Sequence, residues 1–300
     1  MHAQSNPASS DTLGVLRARG TDVLQFLQGQ LSNDVARLGP QLSLLAGYHN
    51  PQGRVLALLR LVRIADDDLV MILPHELIAP LASRLSKFIL RAKVKLADES
   101  ASWRVTPAVR APGDSTASLL PQTLGAVTRV DATLAVCVGE QPVRWLLVAA
   151  SGPVVAPPGC TPAQEQSWQR LQIASGFPQV YAATSEQFVA QMLNLDVLGA
   201  IAFDKGCYTG QEVIARAHYR GRVKRRMQRF LTRAPCALKA GDTGTLSDGR
   251  PFQVVEAVSQ ADGRCEFLAV APLISGDAHV RPAATVVEAD ALPLPYSLPE

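Results

Sequence analysis

Apolar positions in the first hundred residues alternate between the two-residue period of strands and the 3.6-residue period of helices. Helical spacing follows Thr21, a suitable N-cap, and resumes after Pro74, from where apolar residues recur on one face as far as Phe88. We interpret the order as β-α-β-β-α-β, which is typical of a ferredoxin-like layer with its helices on one face. The predicted strands are 13–19, 42–48, 55–64, 69–73 and 91–97.

The remaining two thirds of the chain show two further patterns. Strand signals dominate 102–158, most clearly at 133–138 and 143–149, and a helix is predicted at 162–175. Beyond Arg222, short apolar runs alternate with Gly and Asp-Gly turns, which indicates hairpins. We therefore expect an α+β protein with three domains. They are a ferredoxin-like unit at 1–100, a second α+β unit at 101–222 and a small β-barrel at 223–300.

Composition narrows the class of protein. The chain has 300 residues, of which 47% are hydrophobic and 18% charged, so it is neither disordered nor fibrous. A net charge of +3 excludes a wholly basic protein that coats nucleic acid. Residues 1–11 lack the apolar core of a secretory signal, no apolar run is long enough to span a bilayer, and the five scattered cysteines form no C-x-x-C pair. We expect a cytoplasmic protein without a metal site.

The segment 203–212 contains the most informative chemistry. Gly206 and Gly210 bracket a loop in which the backbone can approach a ligand closely. Thr209 and Glu212 have the spacing of a capping box, which predicts a helix from Gly210 to about residue 220. The loop therefore leads into a helix N-terminus.

Cys207 lies just before that predicted helix and two residues after Lys205, and both neighbours favour the thiolate form. A lone cysteine is equally well explained as a small buried hydrophobic residue. In the same way, Tyr208 could fill a crevice and Glu212 could pair with Arg216 one helical turn later. Spacing alone leaves both explanations open.

The run Lys205-Gly206-Cys207-Tyr208-Thr209-Gly210-Gln211-Glu212 resembles the K-G-C-Y-x-G-Q-E signature of the YgfZ family of folate-binding proteins. That family is related to the T-protein, the aminomethyltransferase of the glycine cleavage system. The resemblance covers most of the chain, and an eight-residue match with a Cys-Tyr pair is specific. Further matching segments are Gly20-Thr21-Asp22, 26–35, Pro51-Gln52-Gly53-Arg54, Gly176-Phe177-Pro178, Asn194-Leu195-Asp196, Ala215-Arg216 and 292–296.

The resemblance implies a T-protein-like ring of three domains with tetrahydrofolate in a central channel. It also implies a role in assembly or repair of iron–sulfur clusters, which indirectly supports tRNA modification, with iron–sulfur client or assembly proteins as partners. Cys207 would be the functional thiol, tuned by Lys205. For Gln30, Asn33 and Asp34 the alternative is a polar helix C-terminus. The residues expected to contact folate are Gln30, Asn33, Asp34, Asn194, Tyr208, Gln211, Glu212 and Arg216.

One departure from the T-protein bears on catalysis. After the glycine turn, the T-protein has a G-G-x-x-D-D segment, and one of its carboxylates serves the folate chemistry. The matching positions here are Ala57 and Leu58, both apolar. Without an anion near the reacting amine, aminomethyl transfer loses its electrostatic partner. We therefore expect an accessory protein more than an enzyme, with a folate-dependent one-carbon transferase as the alternative.

A basic run between Arg216 and Arg233 contains eight Lys or Arg residues and no Asp or Glu. It could bind the polyglutamate tail of a folate or RNA phosphate, and an RNA-binding module is a further alternative. Arg226 and Arg229 are better explained as a solvated strand edge. Few aromatic residues interleave with the run, which weakens the case for single-stranded RNA.

Overall fold

The computed structural model describes residues 12–111, 120–150, 156–219, 221, 223–273 and 285–299. The chain forms two compact units. The first is built from the described parts of Met1–Gln30, Asp34–Ala46 and Leu59–Trp168, and the second from those of Leu31–Asn33, Gly47–Leu58 and Gln169–Glu300. The division into domains at 1–100, 101–222 and 223–300 stays a prediction.

The N-terminal sheet has the ferredoxin-like order with one strand added. Its strand order is β2-β3-β4-β1-β5, and β1 is antiparallel to both β4 and β5. The order β3-β4-β1-β5 is that of a ferredoxin-like sheet. Strand β2, predicted at 42–48, is an extra edge strand for which the four-strand order β-α-β-β-α-β has no place. The strands are β1 Leu13–Arg19, β2 Leu44–His49, β3 Val55–Ala65, β4 Asp68–Pro74 and β5 Lys95–Asp98.

Two helical details differ from the sequence prediction. Helix α1, Val23–Gln28, has Asp22 rather than Thr21 at its N-cap, and the Asp22 carboxylate accepts a hydrogen bond from the Lys93 amide. Helix α2, Ile78–Ile89, buries its predicted apolar stripe, but Phe88 is half exposed because it lies at the helix end. Both differences concern helix ends, where local sequence signals are weakest.

A second antiparallel sheet completes the first unit, with the strand order β10-β6-β9-β8-β7. The strands predicted at 133–138 and 143–149 are confirmed as β8 and β9, and the predicted helix as α3, Glu165–Ala174. Apolar residues of the two sheets form one cluster, in which Val62 and Ile72 meet Val136 and Val148. The strands are β6 Trp103–Arg110, β7 Val127–Val130, β8 Thr133–Glu140, β9 Val143–Ala150 and β10 Cys160–Pro162.

The second unit contains helix α4, Gln211–Tyr219, and a six-stranded sheet that forms a nearly closed β-barrel, as predicted. The strand order is β15-β12-β13-β14-β11-β16, and in its core the Phe267 ring contacts the rings of both Phe230 and Phe252. Its strands are β11 Arg225–Thr232, β12 Thr243–Leu246, β13 Pro251–Ser259, β14 Cys265–Pro272, β15 Val286–Val287 and β16 Ala289–Leu292.

Candidate functional site

The turn after β2 provides one side of the candidate site in the second unit. The Asn50 side-chain oxygen accepts hydrogen bonds from the amides of Gln52 and Arg54, both at 3.0 Å, and Gly53 has a φ of +72°. An Asn at the first position and a Gly with positive φ at the fourth are the residues that such a turn requires. The turn is therefore fixed by its own sequence.

The loop with Cys207 packs directly on this turn. Gly210 has a φ of +83°, and a Cβ added there would lie 2.5 Å from the Asn50 carbonyl oxygen. At Gly206, by contrast, an added Cβ would have nothing within 4 Å. Glycine is therefore required at Gly210 by both backbone conformation and close approach, whereas Gly206 lies in open space.

Lys205 anchors the other end of the loop. Its Nζ donates hydrogen bonds to the carbonyl oxygens of Leu31 at 2.7 Å and Asn33 at 2.8 Å. The Gln211 amide in turn donates to the Lys205 carbonyl at 3.4 Å. Hydrogen bonds from an ammonium group are stronger than neutral ones, so Lys205 stabilises the loop conformation whatever its effect on Cys207.

Between these anchors Cys207 is exposed to solvent. Of the other free cysteines, Cys137, Cys160 and Cys265 are buried, and burial raises the pKa of each of their thiols. Cys236 is intermediate in exposure. Cys207 is thus not a small buried hydrophobic residue, which was the alternative that the sequence left open. Its sulfur is accessible to a reaction partner.

Beneath the loop lie two buried rings, those of Tyr208 and His49. Their centroids are 6.3 Å apart, and Lys205 Nζ is 5.2 Å from the centre of the Tyr208 ring. Burial raises the pKa of Tyr208 to about 12, so its hydroxyl stays protonated at neutral pH. Burial lowers the pKa of His49 to about 3, which keeps its imidazole neutral.

Helix α4 begins at Gln211, since the Gly210 carbonyl accepts the first helical hydrogen bond from the Ile214 amide. Gly210 therefore occupies the N-cap, and the capping box predicted with Thr209 as N-cap is one residue out of register. Glu212 instead accepts a hydrogen bond from Arg216 at 2.7 Å on the exposed face of the helix. The one-turn pairing considered from the sequence is confirmed.

The predicted folate residues near the end of α1 lie beyond the helix rather than at its C-terminus. In the first unit, Gln30 has a buried Oε1 without a partner among the described residues, and Asp34 accepts from the Gln28 side chain at 2.9 Å. In the second unit, Asn33 donates from its amide to the Gly199 carbonyl at 2.9 Å. Asp34 and Asn33 therefore contribute hydrogen bonds within their own units.

Asn194 is completely buried in an internal network of the second unit. It has a φ of +57°, and its amide donates to the Met227 carbonyl at 2.9 Å and to the Tyr296 hydroxyl at 3.3 Å. Arg226 beside it forms a bidentate ion pair with Asp196, at 2.9 and 3.0 Å. These contacts support a structural role for Asn194 more than a contact with ligand.

The basic run separates into different environments, and its interpretation as a solvated strand edge is wrong for Arg226 and Arg229. Strand β11 lies between β14 and β16, so it is not an edge. Arg226 is 3% exposed, and Arg229 pairs with Glu266 at 2.7 Å. Arg216, on the helix, remains at the surface with Glu212. Each of these two arginines thus forms a structural ion pair, Arg226 with Asp196 and Arg229 with Glu266.

Three other sequence predictions bear on chemistry. Ala57 and Leu58, which the sequence comparison matched to the T-protein carboxylates, are both buried in β3. Within the described residues no cluster of three or more His, Cys, Asp or Glu side chains could hold a metal ion. No helix among these described residues is long and apolar enough to cross a membrane.

The chain matches no protein-family model. The tRNA-modifying protein YgfZ of Escherichia coli (strain K12) is 31% identical to it over 299 residues, which cover 94% of this chain and 90% of the relative. The protein of the same name from Shigella flexneri gives the same values. The chain belongs to the YgfZ family.

The fold of this YgfZ-family protein is also that of a known transferase. The crystal structure of the glycine cleavage system aminomethyltransferase T from Bartonella henselae superimposes with a TM-score of 0.64 at 12% identity. The match covers 88% of this chain and 77% of the transferase. The T-protein-like α+β fold expected from the sequence is confirmed.

Proposed function

We propose that this YgfZ-family protein is a cytoplasmic, tetrahydrofolate-binding accessory protein for the assembly or repair of iron–sulfur clusters. It would indirectly support tRNA modification, with Cys207 as its functional thiol. Membership of the family and the T-protein-like fold support this assignment. The single observation that carries the proposal is the exposed Cys207 on a loop fixed at both ends.

The geometry of the loop explains why a thiol at this position is suited to reaction with a partner. Lys205 and Gly210 fix the loop through contacts with Leu31, Asn33 and Asn50. The Cys207 thiol is exposed, and these contacts hold the backbone on either side of it. An accessory protein that delivers or receives a group at its surface needs this combination of exposure and fixed position.

The described residues fit a folate in chemical type. A reduced pterin ring presents several N–H donors and acceptors, and Gln30 has a buried oxygen acceptor without a described partner. Tyr208 adds a buried ring and a protonated hydroxyl in the second unit. Within the second unit, Tyr208, Gln211 and Arg216 are the contacts that we propose, and Gln30 of the first unit stays a prediction from the sequence. Ala57 and Leu58 supply no anion, and this favours binding over aminomethyl transfer.

The first experiment tests Cys207 in cells. Bacteria that lack their own YgfZ-family protein receive wild type, Cys207→Ala or Cys236→Ala at equal expression, and the activity of a cluster-dependent tRNA-thiolating enzyme is measured. Cys236 is the matched control because its thiol is also free and not fully buried. We expect wild type and Cys236→Ala to rescue the activity of the tRNA-thiolating enzyme. With Cys207→Ala this activity should be at least about tenfold lower, because alanine cannot form the thiolate that acts as nucleophile or metal ligand.

Equal rescue by Cys207→Ala would remove the thiol from the mechanism, and rescue by none of the variants would contradict the role in cluster maturation. The folate part is tested separately with purified protein, by calorimetric titration with tetrahydrofolate under anaerobic conditions. Absence of binding would refute that part. Transfer of a methylene group to tetrahydrofolate by the purified protein would favour the transferase instead.

A further inference from the structure

Three aromatic rings form an exposed cluster at the end of helix α4 in the second unit. The rings of Phe203 and His218 are stacked, with centroids 3.7 Å apart and an angle of 15° between their planes. The Tyr219 ring meets both edge-on, at centroid distances of 4.8 Å and 6.1 Å. His218 is exposed, and Tyr219 is 68% exposed. The cluster therefore presents contiguous aromatic surface to solvent, which is typical of a surface that binds a partner.

A cleft of about 480 Å³ lies beside this cluster, and His218 is one of its lining residues. Its most buried lining residues, Asp196 and Arg226, form an ion pair at 2.9 Å, so their charges compensate each other. Its apolar walls come from Val197, Ala217, Val223 and Leu298. A cleft of this size with apolar walls and no net charge at its base suits a neutral, planar group.

The surroundings of the cleft carry a surplus of positive charge. The chain from 216 to 233 contains Lys and Arg but no Asp or Glu. Lys224 is exposed, and the Nε of Arg225 is buried without a partner among the described residues. Asp204, next to Phe203 in the sequence, is exposed and offsets part of this charge. Phosphate groups are attracted to such a surface, whereas the cleft itself takes an uncharged ring.

We propose that the cleft binds an unpaired base of a single-stranded nucleic acid, which continues the ring stack of Phe203 and His218. Every nucleobase is a neutral planar ring, and stacking on aromatic side chains beside cations is how proteins hold single strands without reading their sequence. Lys224 and Arg225 would contact the neighbouring phosphates. The proposal depends on neither folate binding nor Cys207.

Folding supplies the feature that the sequence lacks for such a site. Few aromatic residues interleave with the basic run, which argued against single-stranded RNA. Phe203 lies outside the run, and the fold places its ring on His218 inside it. The cluster therefore combines the rings and the cations that a single strand requires.

The test measures binding of fluorescein-labelled oligouridylate and oligodeoxythymidylate, each of about 12 nucleotides, by fluorescence anisotropy. For His218→Ala the dissociation constant should be at least about fivefold higher, since stacking of one base is worth at least about that factor. His218→Phe keeps a planar ring and should bind about as tightly as wild type. Tighter binding of the RNA strand would identify contacts to its 2′-hydroxyls, and equal binding would identify a site for either strand. Both results support the proposal.

The matched control is another exposed ring. Phe88 is 50% exposed at the end of α2 in the first unit. Phe88→Ala should bind both strands as wild type does. A loss of affinity in Phe88→Ala equal to that in His218→Ala would overturn the proposal, because removal of any exposed aromatic side chain would then suffice.

A second readout reports stacking directly and does not depend on a variant. A strand with 2-aminopurine at its centre loses fluorescence when this base stacks on an aromatic ring. Wild type and His218→Phe should quench the emission, and His218→Ala should quench it less. If His218→Ala fails to fold, quenching by wild type decides, and unchanged emission overturns the proposal.

The remaining outcomes separate the base from other occupants of the cleft. Equal affinity of wild type and His218→Ala refutes the stack. Equally tight binding of duplex RNA also refutes it, because the bases of a duplex are already stacked and only phosphate contacts remain. Displacement of the labelled strand by 5-formyltetrahydrofolate, with weaker folate binding by His218→Ala, would assign the cleft to folate instead. Weaker single-strand binding by His218→Ala alone supports the proposal.

Discussion

Two clusters of buried polar side chains in the second unit differ in how their hydrogen bonds are satisfied. Around Asn194, the amide, the guanidinium of Arg226 and the carboxylate of Asp196 bond to one another or to nearby carbonyls, and the Tyr296 hydroxyl donates to the Gly176 carbonyl at 2.6 Å. Arg226 Nε, by contrast, is buried without a partner among the described residues. At His49, neither ring nitrogen has a partner among the described residues. Both clusters are excluded from solvent, so exposure does not explain the difference.

The difference shows that burial alone does not make a polar side chain part of the hydrogen-bonded architecture. A polar group that is buried and paired stabilises the fold, and its loss leaves a partner unsatisfied. A buried group that is left unpaired lowers stability. Asn194 and Asp196 match the family pattern and are of the first kind, whereas His49 is outside the signature and is of the second.

The largest effect is expected where the satisfied cluster is broken. Asp196→Ala leaves the guanidinium of Arg226 buried, with side-chain exposures of 4% and 7% for the pair, and without its counter-ion. We expect the free energy of unfolding to fall by about 3–5 kcal/mol. Urea denaturation measures it, and the double variant Asp196→Ala/Arg226→Met should regain part of the loss because no charge is then left unpaired.

Its control is the exposed pair of Arg233 and Asp290, which has the same chemistry and a similar distance of 2.8 Å. Each side chain of this pair is 57% exposed, so Asp290→Ala should leave the urea midpoint nearly unchanged. If Asp196→Ala and Asp290→Ala shift the midpoint equally, the network around Asn194 does not have the structural role inferred for it.

A smaller effect is expected where the loop meets the turn. Gly210→Ala places a Cβ on a residue with a φ of +83° and against the Asn50 carbonyl, so the loop must move. We expect a loss of about 1–3 kcal/mol in the free energy of unfolding and poorer rescue in the cellular assay. Gly206→Ala, where an added Cβ meets nothing, is the matched control for stability. Equal melting temperatures for the two variants would show that the loop does not need this glycine.

The last effect concerns acid and is spread over several pH units. Burial lowers the pKa of His49 to about 3 from its ordinary 6.5, so the unfolded chain binds a proton below about pH 6.5 and the folded chain does not. The contribution to stability is therefore present above pH 6.5 and is lost as pH falls toward 3, by at most about 1.4 kcal/mol per pH unit.

His49→Phe should remove the part of the pH dependence of stability that comes from His49. The measurement is the difference between the urea midpoints at about pH 7 and about pH 5. The midpoint of the variant should fall less on acidification than that of wild type or of His218→Phe. The same fall in all three proteins would mean that His49 is not buried as a neutral ring in solution.

Regular elements were predicted well, because their signals are local. The strands at 13–19, 133–138 and 143–149 and the helix after Gly210 follow from periodicity and turn residues within a short window. Helix ends were predicted less well: the N-cap of α1 is Asp22 and not Thr21, and the Asp22 carboxylate bonds to the distant Lys93 amide instead of capping the helix. A contact over seventy residues of chain leaves no local signal.

In the candidate site, too, residues with a local sequence signal were found and residues defined by distant contacts were missed. The sequence singled out Cys207 and its loop, since a rare motif and two glycines are visible in eight residues. The aromatic contact of Phe203 with His218 and Tyr219 was missed, and only the aromatic identity of these residues could have indicated it. The role of Lys205 as an anchor was also missed, because its two carbonyl partners lie about 170 positions earlier in the chain.

By itself, the sequence determined the class of fold, the β-strands, the turn at Asn50 and the identity of Cys207 as a candidate thiol. These depend on side-chain periodicity, backbone preference and a motif, which are properties of neighbouring residues. The tertiary structure alone decided which polar residues are satisfied. Asn194 and Arg226 are paired, His49 is not, and Cys207 is exposed, because burial and hydrogen bonding depend on segments brought together by folding.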